Sequence, residues 1–222
     1  MAQTTDSLHH DIELVEITAS LKSEARDSRT TSQTTITMSQ IEERGIGSIK
    51  ELSIIAPNFY QPDYGSSITS SIYVRGFGSR LDQPVLGLTI DDVAVMNKNS
   101  YDFELFDIRR IELLRGPQGT LYGRNTSGGV MNITTLSPFD WQGFRAMAEM
   151  TSNYSYRASV AYYSRPTSHR GISLSVAGSH DEGFFTNSYT GDNCDAGSNI
   201  GARLRIQYLG SERLTIDNSL TV

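Results

Sequence analysis

Two patterns of hydrophobic and polar positions divide the chain near Pro138. Before it, short apolar runs alternate with two segments that begin as capping boxes, Thr37-Met38-Ser39-Gln40 and Ser48-Ile49-Lys50-Glu51. After it, apolar and polar residues alternate with a period of two. The sequence therefore predicts a small α/β domain followed by antiparallel β-strands.

Individual elements of the α/β domain follow from its start and stop signals. The two capping boxes predict helices that end at Gly45 and Pro57. In the second helix, Ile49, Leu52 and Ile55 share one face. Apolar runs predict strands at 34–37, 71–77, 85–95 and 108–114, with a helical turn at 103–106.

The region after Pro138 contains five alternating stretches. Their apolar positions are Phe144, Ala146, Ala148 and Met150; Tyr156, Ala158, Val160 and Tyr162; Ile172, Leu174 and Val176; Ile200, Ala202, Leu204, Ile206 and Tyr208; and Leu214, Ile216 and Leu220. Connections at 166–169 and 210–211 are short, whereas 181–198 is long, although 152–155 is short as well. Stretches of this kind are typical of membrane-spanning barrel strands, and a soluble sandwich shows similar alternation.

Composition and motifs argue against several other functions. A formal net charge of −6 disfavours nucleic acid as a partner, and the lone Cys194 excludes an internal disulfide. Neither a phosphate loop, a dinucleotide fingerprint nor a nucleophile motif is present. Asp91 and Asp92 are predicted to lie in a strand, facing opposite sides, and so form no acid/base pair. We expect no enzymatic activity, cofactor or metal site.

Two glycine-rich motifs are the most specific feature of the sequence. Residues 73–78 read YVRGFG, and residues 111–133 read IELLRGPQGTLYGRNTSGGVMNI, in which Pro117 and the glycines predict a compact turn between two strands. Together they resemble the plug domain of TonB-dependent outer-membrane receptors. The resemblance implies a plug built on a small mixed sheet with short helices, followed by the first strands of an incomplete transmembrane β-barrel.

The resemblance also implies a domain organisation and a cellular place. Residues 1–20 form an N-terminal tail, 21–138 the plug and 139–222 the first barrel strands, so we expect the N-terminal part of a longer receptor in the bacterial outer membrane. The tail carries the TonB box: Glu13, Leu14, Val15, Glu16, Ile17, Thr18 and Ala19. This segment would pair with TonB as an added strand, although its pattern also fits an ordinary edge strand.

The function implied is energised uptake of a scarce nutrient, with a ferric siderophore, another metal chelate or cobalamin as ligand. The partners would be TonB with its inner-membrane complex, outer-membrane lipid and this small ligand. The absence of an extra N-terminal domain and the turn sequence favour these ligands over glycans. Two alternatives stay open: a glycan-importing receptor, and a truncated plug-like binding module without transport activity.

Site residues are assigned by the same resemblance. Arg75 and Arg115 would anchor the plug to glutamates of the barrel, although solvated arginines would fit the pattern as well. Outer plug loops would contact the ligand through Tyr60, Tyr64, Arg80, Lys98 and Tyr101, or these residues are simply exposed. Aromatic rings with a few cations suit an anionic or chelate ligand. Neither Arg80 nor Tyr101 is expected to belong to the plug core.

Overall fold

The computed structural model describes residues 32–62, 71–78, 83–97, 100–101, 104–151, 153–191, 193–211 and 214–222. Its elements in chain order are β1 (Ser32–Thr37), α1 (Met38–Glu43), a 3₁₀ helix (Lys50–Ile54), β2 (Phe59–Tyr60), β3 (Tyr73–Val74), β4 (Phe77–Gly78), β5 (Leu86–Ile90), β6 (Val93–Val95), β7 (Ile108–Arg115), α2 (Gly119–Tyr122), β8 (Gly129–Thr135), β9 (Gly143–Met150), β10 (Tyr156–Thr167), β11 (Arg170–Asp181), β12 (Gly197–Ser211) and β13 (Leu214–Thr221).

The elements before residue 138, termed the N-terminal domain, are built on a mixed five-stranded sheet of order β1-β7-β8-β5-β6. All neighbouring pairs are antiparallel except β5 and β8, which are parallel. Strands β2, β3 and β4 form a separate small sheet. One face of the larger sheet packs against α1 and the 3₁₀ helix, and buries Ile36, Leu86, Leu88, Ile111, Leu113, Met131 and Ile133 with Ile41, Ile49 and Leu52. The predicted α/β domain is confirmed.

The two predicted helix starts have different outcomes. At α1 the capping box is formed, since the Thr37 hydroxyl accepts from the Gln40 amide and the Gln40 side chain accepts from the Thr37 amide. The second capping box is wrong, and the segment is a 3₁₀ helix without a side-chain cap. Glu51 instead accepts hydrogen bonds from the Gly47 amide (2.7 Å) and the Ser48 hydroxyl (3.1 Å). Ile49 and Leu52 are nevertheless fully buried, as their shared face predicts.

Two strands predicted as continuous are hairpins. Within 71–77 the chain reverses at Arg75 and Gly76 (φ 54° and 78°), so β3 pairs with β4. Within 85–95 it reverses at Asp91 and Asp92 (φ 47° and 66°), so β5 pairs with β6. Positive φ at both central residues gives the turn whose twist suits a two-residue hairpin. The prediction that Asp91 and Asp92 lie in a strand is therefore wrong.

The glycine-rich segment after Arg115 is confirmed as a connection between two antiparallel strands, β7 and β8. It contains one helical turn, α2, before the chain returns at Gly129. At Gly129 an added Cβ would lie 2.3 Å from the Leu114 carbonyl oxygen, so this close approach of two strands requires glycine. The helical turn predicted at 103–106 is not formed in its described part, 104–106, which has no helical residue.

The five alternating stretches form one antiparallel sheet, termed the C-terminal sheet, of order β13-β12-β11-β10-β9. Its two faces differ as the alternation predicts. Phe144, Tyr162, Leu174 and Ile206 are exposed on one face, whereas Ser173, Ser175, Arg203 and Arg205 on the other face are buried. The second face therefore lies against the N-terminal domain. None of the helices in the described ranges is long and apolar enough to cross a membrane.

Candidate interface between the N-terminal domain and the C-terminal sheet

The inner face of the C-terminal sheet carries arginines that pair with carboxylates of the N-terminal domain. Arg157 of β10 lies 3.3 Å from Glu104 and 3.5 Å from Glu51, and also 3.5 Å from Glu149 on β9. Its guanidinium also donates to the Gly45 carbonyl oxygen (3.4 Å). One cation is thus shared by three carboxylates, two of which belong to the N-terminal domain.

The loop between α1 and the 3₁₀ helix leaves space for the Arg157 side chain. An added Cβ at Gly47 would lie 1.8 Å from the central carbon of the Arg157 guanidinium, so the guanidinium occupies the space beside the glycine backbone. Arg145 of β9 forms a neighbouring ion pair with Glu42 of α1. A cleft of about 90 Å³ lies between the two parts and is lined by Glu42, Arg145, Glu149 and Arg157.

A second charged cluster lies where the β5–β6 turn meets β12. The Asp91 carboxylate accepts from the amide (2.9 Å) and the hydroxyl (2.7 Å) of Thr135, which hold it at the end of the mixed sheet. Arg205 lies 3.6 Å from Asp91 and 2.6 Å from Asp217 on β13. Next to it, the Ser137 hydroxyl donates to Gln207 (2.7 Å). These contacts connect the β5–β6 turn and the segment after β8 to β12.

Asp107 connects the start of β7 to the inner face of the C-terminal sheet. It adopts a positive φ of 62° and is hydrogen-bonded by the hydroxyls of Tyr163 and, at 3.2 Å, Ser175. Arg203 lies 3.9 Å away, and its guanidinium stacks over Phe106 at 5.3 Å. Burial raises the pKa of Asp107 to about 6, although Arg203 and the Ser175 hydroxyl oppose this shift. A buried acid with an elevated pKa is thus placed between the two parts.

Sequence reasoning missed these contacts, although a signal was present. Arg145, Arg157, Arg203 and Arg205 occupy polar positions of the alternating stretches, on the face opposite the apolar residues. Charged residues on the inner face of a strand need partners when that face is covered. Their carboxylate partners come from turns and loops of the N-terminal domain, which the alternation does not identify.

The two arginines singled out from the sequence lie at the other end of the mixed sheet. Asp91, Asp107 and Thr135 lie at the end of the mixed sheet that contacts the C-terminal sheet. Arg115 lies at the opposite end of β7, eight residues from Asp107 and roughly 25 Å away. Arg115 is buried and donates to the Pro57 carbonyl oxygen (2.7 Å), and Arg75 is exposed nearby. Burial, and then the charge of Arg75, lower the pKa of Arg115.

Neither of these arginines lies within ion-pair distance of a carboxylate in the part of the chain that the structure describes. Two neighbouring cations at one edge favour an anionic partner, because like charges oppose each other. Their predicted role in anchoring a plug to barrel glutamates stays a prediction.

The described residues that were predicted to contact a ligand differ in solvent exposure. Tyr60 is exposed on β2, whereas Tyr101 is only 2% exposed. The Tyr101 hydroxyl lies 3.1 Å from the Leu86 carbonyl oxygen and 3.3 Å from that of Val95, and burial raises its pKa. The expectation that Tyr101 stays outside the core is wrong, because its ring fills the space beside β5 and its hydroxyl finds backbone partners.

The other predicted site residues lie outside the described residues. These are Tyr64, Arg80 and Lys98, together with the whole predicted TonB box, Glu13 to Ala19. Within the described residues, His, Cys, Asp and Glu side chains form no group of three or more that could hold a metal ion. Cys194 is exposed and not in a disulfide.

Comparisons with known proteins agree with this architecture. Residues 25–130 match the family described as TonB-dependent Receptor Plug Domain. The pesticin receptor of Yersinia enterocolitica is 31% identical over 160 residues, which are 71% of this chain and 23% of that receptor. The ferrioxamine B receptor of Salmonella typhimurium is 32% identical over 114 residues, 49% of this chain and 16% of that receptor.

A solved structure extends the likeness to the C-terminal sheet. The ferric yersiniabactin uptake receptor FyuA from Yersinia pestis superposes with a TM-score of 0.75 and 24% identity, over 86% of this chain and 31% of that chain. The chain thus spans less than a third of each of these relatives. In sequence and in fold, the chain resembles TonB-dependent outer-membrane receptors, and residues 25–130 correspond to their plug domain.

Proposed function

We propose that this chain supplies the plug and first barrel strands of an outer-membrane receptor that imports a ferric chelate with energy from TonB. The observation that carries the proposal is the two-faced C-terminal sheet. Its inner face is polar and bonded to the N-terminal domain, and its outer face is apolar and exposed. A soluble binding module would gain nothing from such an outer face, whereas lipid would cover it.

The choice of ligand rests on the relatives. One is named a ferrioxamine B receptor and another a ferric yersiniabactin uptake receptor, so both names refer to iron chelates. This supports a ferric chelate ahead of a glycan. Transport also accounts for the charged interface, because ion pairs hold the plug in place and can be broken without unfolding its core.

Coupling to TonB is proposed for the segment Glu13 to Ala19. An extended peptide of alternating side chains can add to an exposed sheet edge of a partner, with backbone hydrogen bonds giving affinity. The segment precedes β1, which is an edge strand of the mixed sheet. A force that TonB applies to this segment would therefore act on the edge strand β1 before it acts on the core of the plug.

The proposal is tested by uptake of radioactive iron. The receptor is expressed in a bacterium lacking its own ferric-chelate receptors, in matched strains with and without TonB. We expect accumulation of iron from at least one of ferrioxamine B, a ferric catecholate and ferric yersiniabactin, only in the strain with TonB. Binding without uptake in either strain would support a binding module, and uptake of oligosaccharides alone would support a glycan importer.

A further inference from the structure

The connection between β11 and β12, termed the aromatic loop (residues 182–196), folds on itself. Thr186 and Asn193 form an isolated bridge, and the Cys194 amide donates to the Phe185 carbonyl oxygen (2.7 Å). The Asp195 carboxylate accepts from the amides of Phe184 (3.0 Å) and Phe185 (2.9 Å). These bonds join the two described arms of the loop, 184–186 and 193–195.

This shape leaves large aromatic rings in solvent. Phe184, Phe185 and Tyr189 are 75%, 72% and 96% exposed. Tyr154 is 70% exposed on the neighbouring connection, which is joined to the loop because the Ser155 hydroxyl donates to Asp181 (2.7 Å) and accepts from the Glu182 amide (3.2 Å). Exposed aromatic rings on a preorganised loop are typical of a binding surface.

The loop lies at the sheet rim farthest from the junction with the N-terminal domain. Strand β9 begins at Gly143, which pairs with Tyr163, and the opposite end of β10 pairs Tyr156 with His180 near the loop. Under the proposed function, the junction side faces the periplasm and the aromatic loop faces outward. A ligand from outside would therefore meet these rings before it reaches the plug.

The charge of this surface is one-sided. Between Arg170 and Arg203 the sequence has no lysine or arginine, and three carboxylates lie in or beside the described part of the loop: Asp181, Glu182 and Asp195. The amides of Phe184 and Phe185 keep the pKa of Asp195 below its usual value, so this group is ionised at neutral pH. Aromatic faces together with negative charge attract cations and repel anions.

We propose that the aromatic loop and Tyr154 form a capture surface that selects ferric chelates of zero or positive net charge. The inference rests on the proposed function and adds the class of substrate. Three hydroxamates neutralise ferric iron, so a trihydroxamate with a free ammonium carries a charge of about +1, whereas a tris-catecholate carries about −3. Of the anionic or chelate ligands expected from the sequence, this keeps the chelates and departs from the negative charge that Arg80 and Lys98 would favour.

The test is binding of two probes to the receptor in outer-membrane vesicles: ferrioxamine B as the cationic chelate, and a ferric tris-catecholate as the anionic one. We expect the cationic chelate to bind more tightly, and the double variant Phe184→Ala/Phe185→Ala to weaken it about tenfold or more. Glu182→Lys should weaken the cationic chelate and strengthen the anionic one. Glu43→Lys, the same charge change on the exposed face of α1, is the matched control and should alter neither.

Tighter binding of the tris-catecholate to the unmodified receptor, or unchanged affinity in the double phenylalanine variant, would overturn the capture surface and leave ferric-chelate uptake intact. Binding of neither chelate, in vesicles where the receptor is assembled, would also overturn the capture surface, whereas the proposed function itself fails only if no ferric chelate is taken up in the strain with TonB. Assembly is checked independently by the shift in electrophoretic mobility on heating, so that a loss of binding is not confused with a loss of folding.

Discussion

Arginines of the C-terminal sheet and carboxylates of the N-terminal domain determine how these two parts meet. Arg157 is shared by Glu51, Glu104 and Glu149, whereas among the described residues Arg145 pairs with one carboxylate, Glu42, that is half exposed. Coulomb attraction is stronger where water is excluded, and the cost of losing one partner rises in the same way. The two arginines are therefore expected to differ in importance although both lie in ion pairs.

Replacing Arg157 by glutamine should lower the free energy of unfolding of the assembled receptor by about 2–4 kcal/mol, because Glu104 would stay partly buried without its cation. Arg145→Gln is the matched control and should cost about 1 kcal/mol or less, since its partner is solvated. Denaturant unfolding in detergent micelles measures both. Equal losses in the two variants would show that the shared arginine has no special role.

Asp107 gives the interface a dependence on pH. Its folded pKa of about 6 lies above the ordinary value of 3.8, so the folded state prefers the protonated acid. The stabilisation of the folded state that protonation of Asp107 provides is fully present below the unfolded pKa and is lost as the pH rises through about 6. The protein should therefore be more stable at pH 5 than at pH 7.5 through this group, by about 1 kcal/mol.

The check is a comparison of unfolding free energies of the unmodified protein and Asp107→Asn at both pH values. Other titrating groups contribute equally to the two proteins, so the difference between them isolates Asp107. Lowering the pH from 7.5 to 5 should raise the free energy of unfolding of the unmodified protein relative to that of the variant. A difference independent of pH would mean that Asp107 stays ionised in the interface.

At the scale of elements, the periodicity of the sequence identified strands better than it identified reversals. The five outer strands and the β7–β8 pair could be predicted, because their apolar spacing is regular and long. The two hairpins could not, because Arg75-Gly76 and Asp91-Asp92 lie inside apolar runs that appear continuous, and three of these four residues are of types that adopt positive φ only uncommonly. Asp91 adopts this conformation because Thr135, far along the chain, donates two hydrogen bonds to its carboxylate.

Coupling is tested at the element that precedes β1. Proline at Leu14 or Ile17 removes a backbone donor from the segment Glu13 to Ala19, so strand addition to the C-terminal domain of TonB should be lost. Alanine at the same positions keeps the donor and should retain most binding. Retention of the receptor on immobilised TonB is the measurement, and unchanged retention of both proline variants would refute the assignment of this segment.

For the whole molecule, the division into a plug-like domain and an alternating sheet could be predicted, but the fit between them could not. Alternation shows which face of a strand is polar, not which loop covers it. Contacts such as Ser179 to Glu104 and Gln207 to Ser137 join residues about 70 positions apart, and they depend on how the sheet curves around the domain. Tyr101 is removed from the predicted ligand surface by packing within the N-terminal domain, since its ring is buried beside β5.

The two-faced sheet, with lipid on one side and the plug on the other, is the central claim, and neighbouring residues of β10 test it most directly. Spin labels are placed at Val160, which is exposed on the apolar face, and at Ser159, which lines the cleft against the N-terminal domain. Cys194 is first replaced by serine, because it is exposed and would react as well.

Collision of each label with oxygen, which concentrates in lipid, and with a water-soluble nickel chelate is then measured in outer-membrane vesicles. The label at residue 160 should collide readily with oxygen and little with nickel, and the label at residue 159 should be protected from oxygen by the N-terminal domain. Equal access of nickel to both labels would place the two faces of the sheet in water and contradict a membrane-embedded receptor.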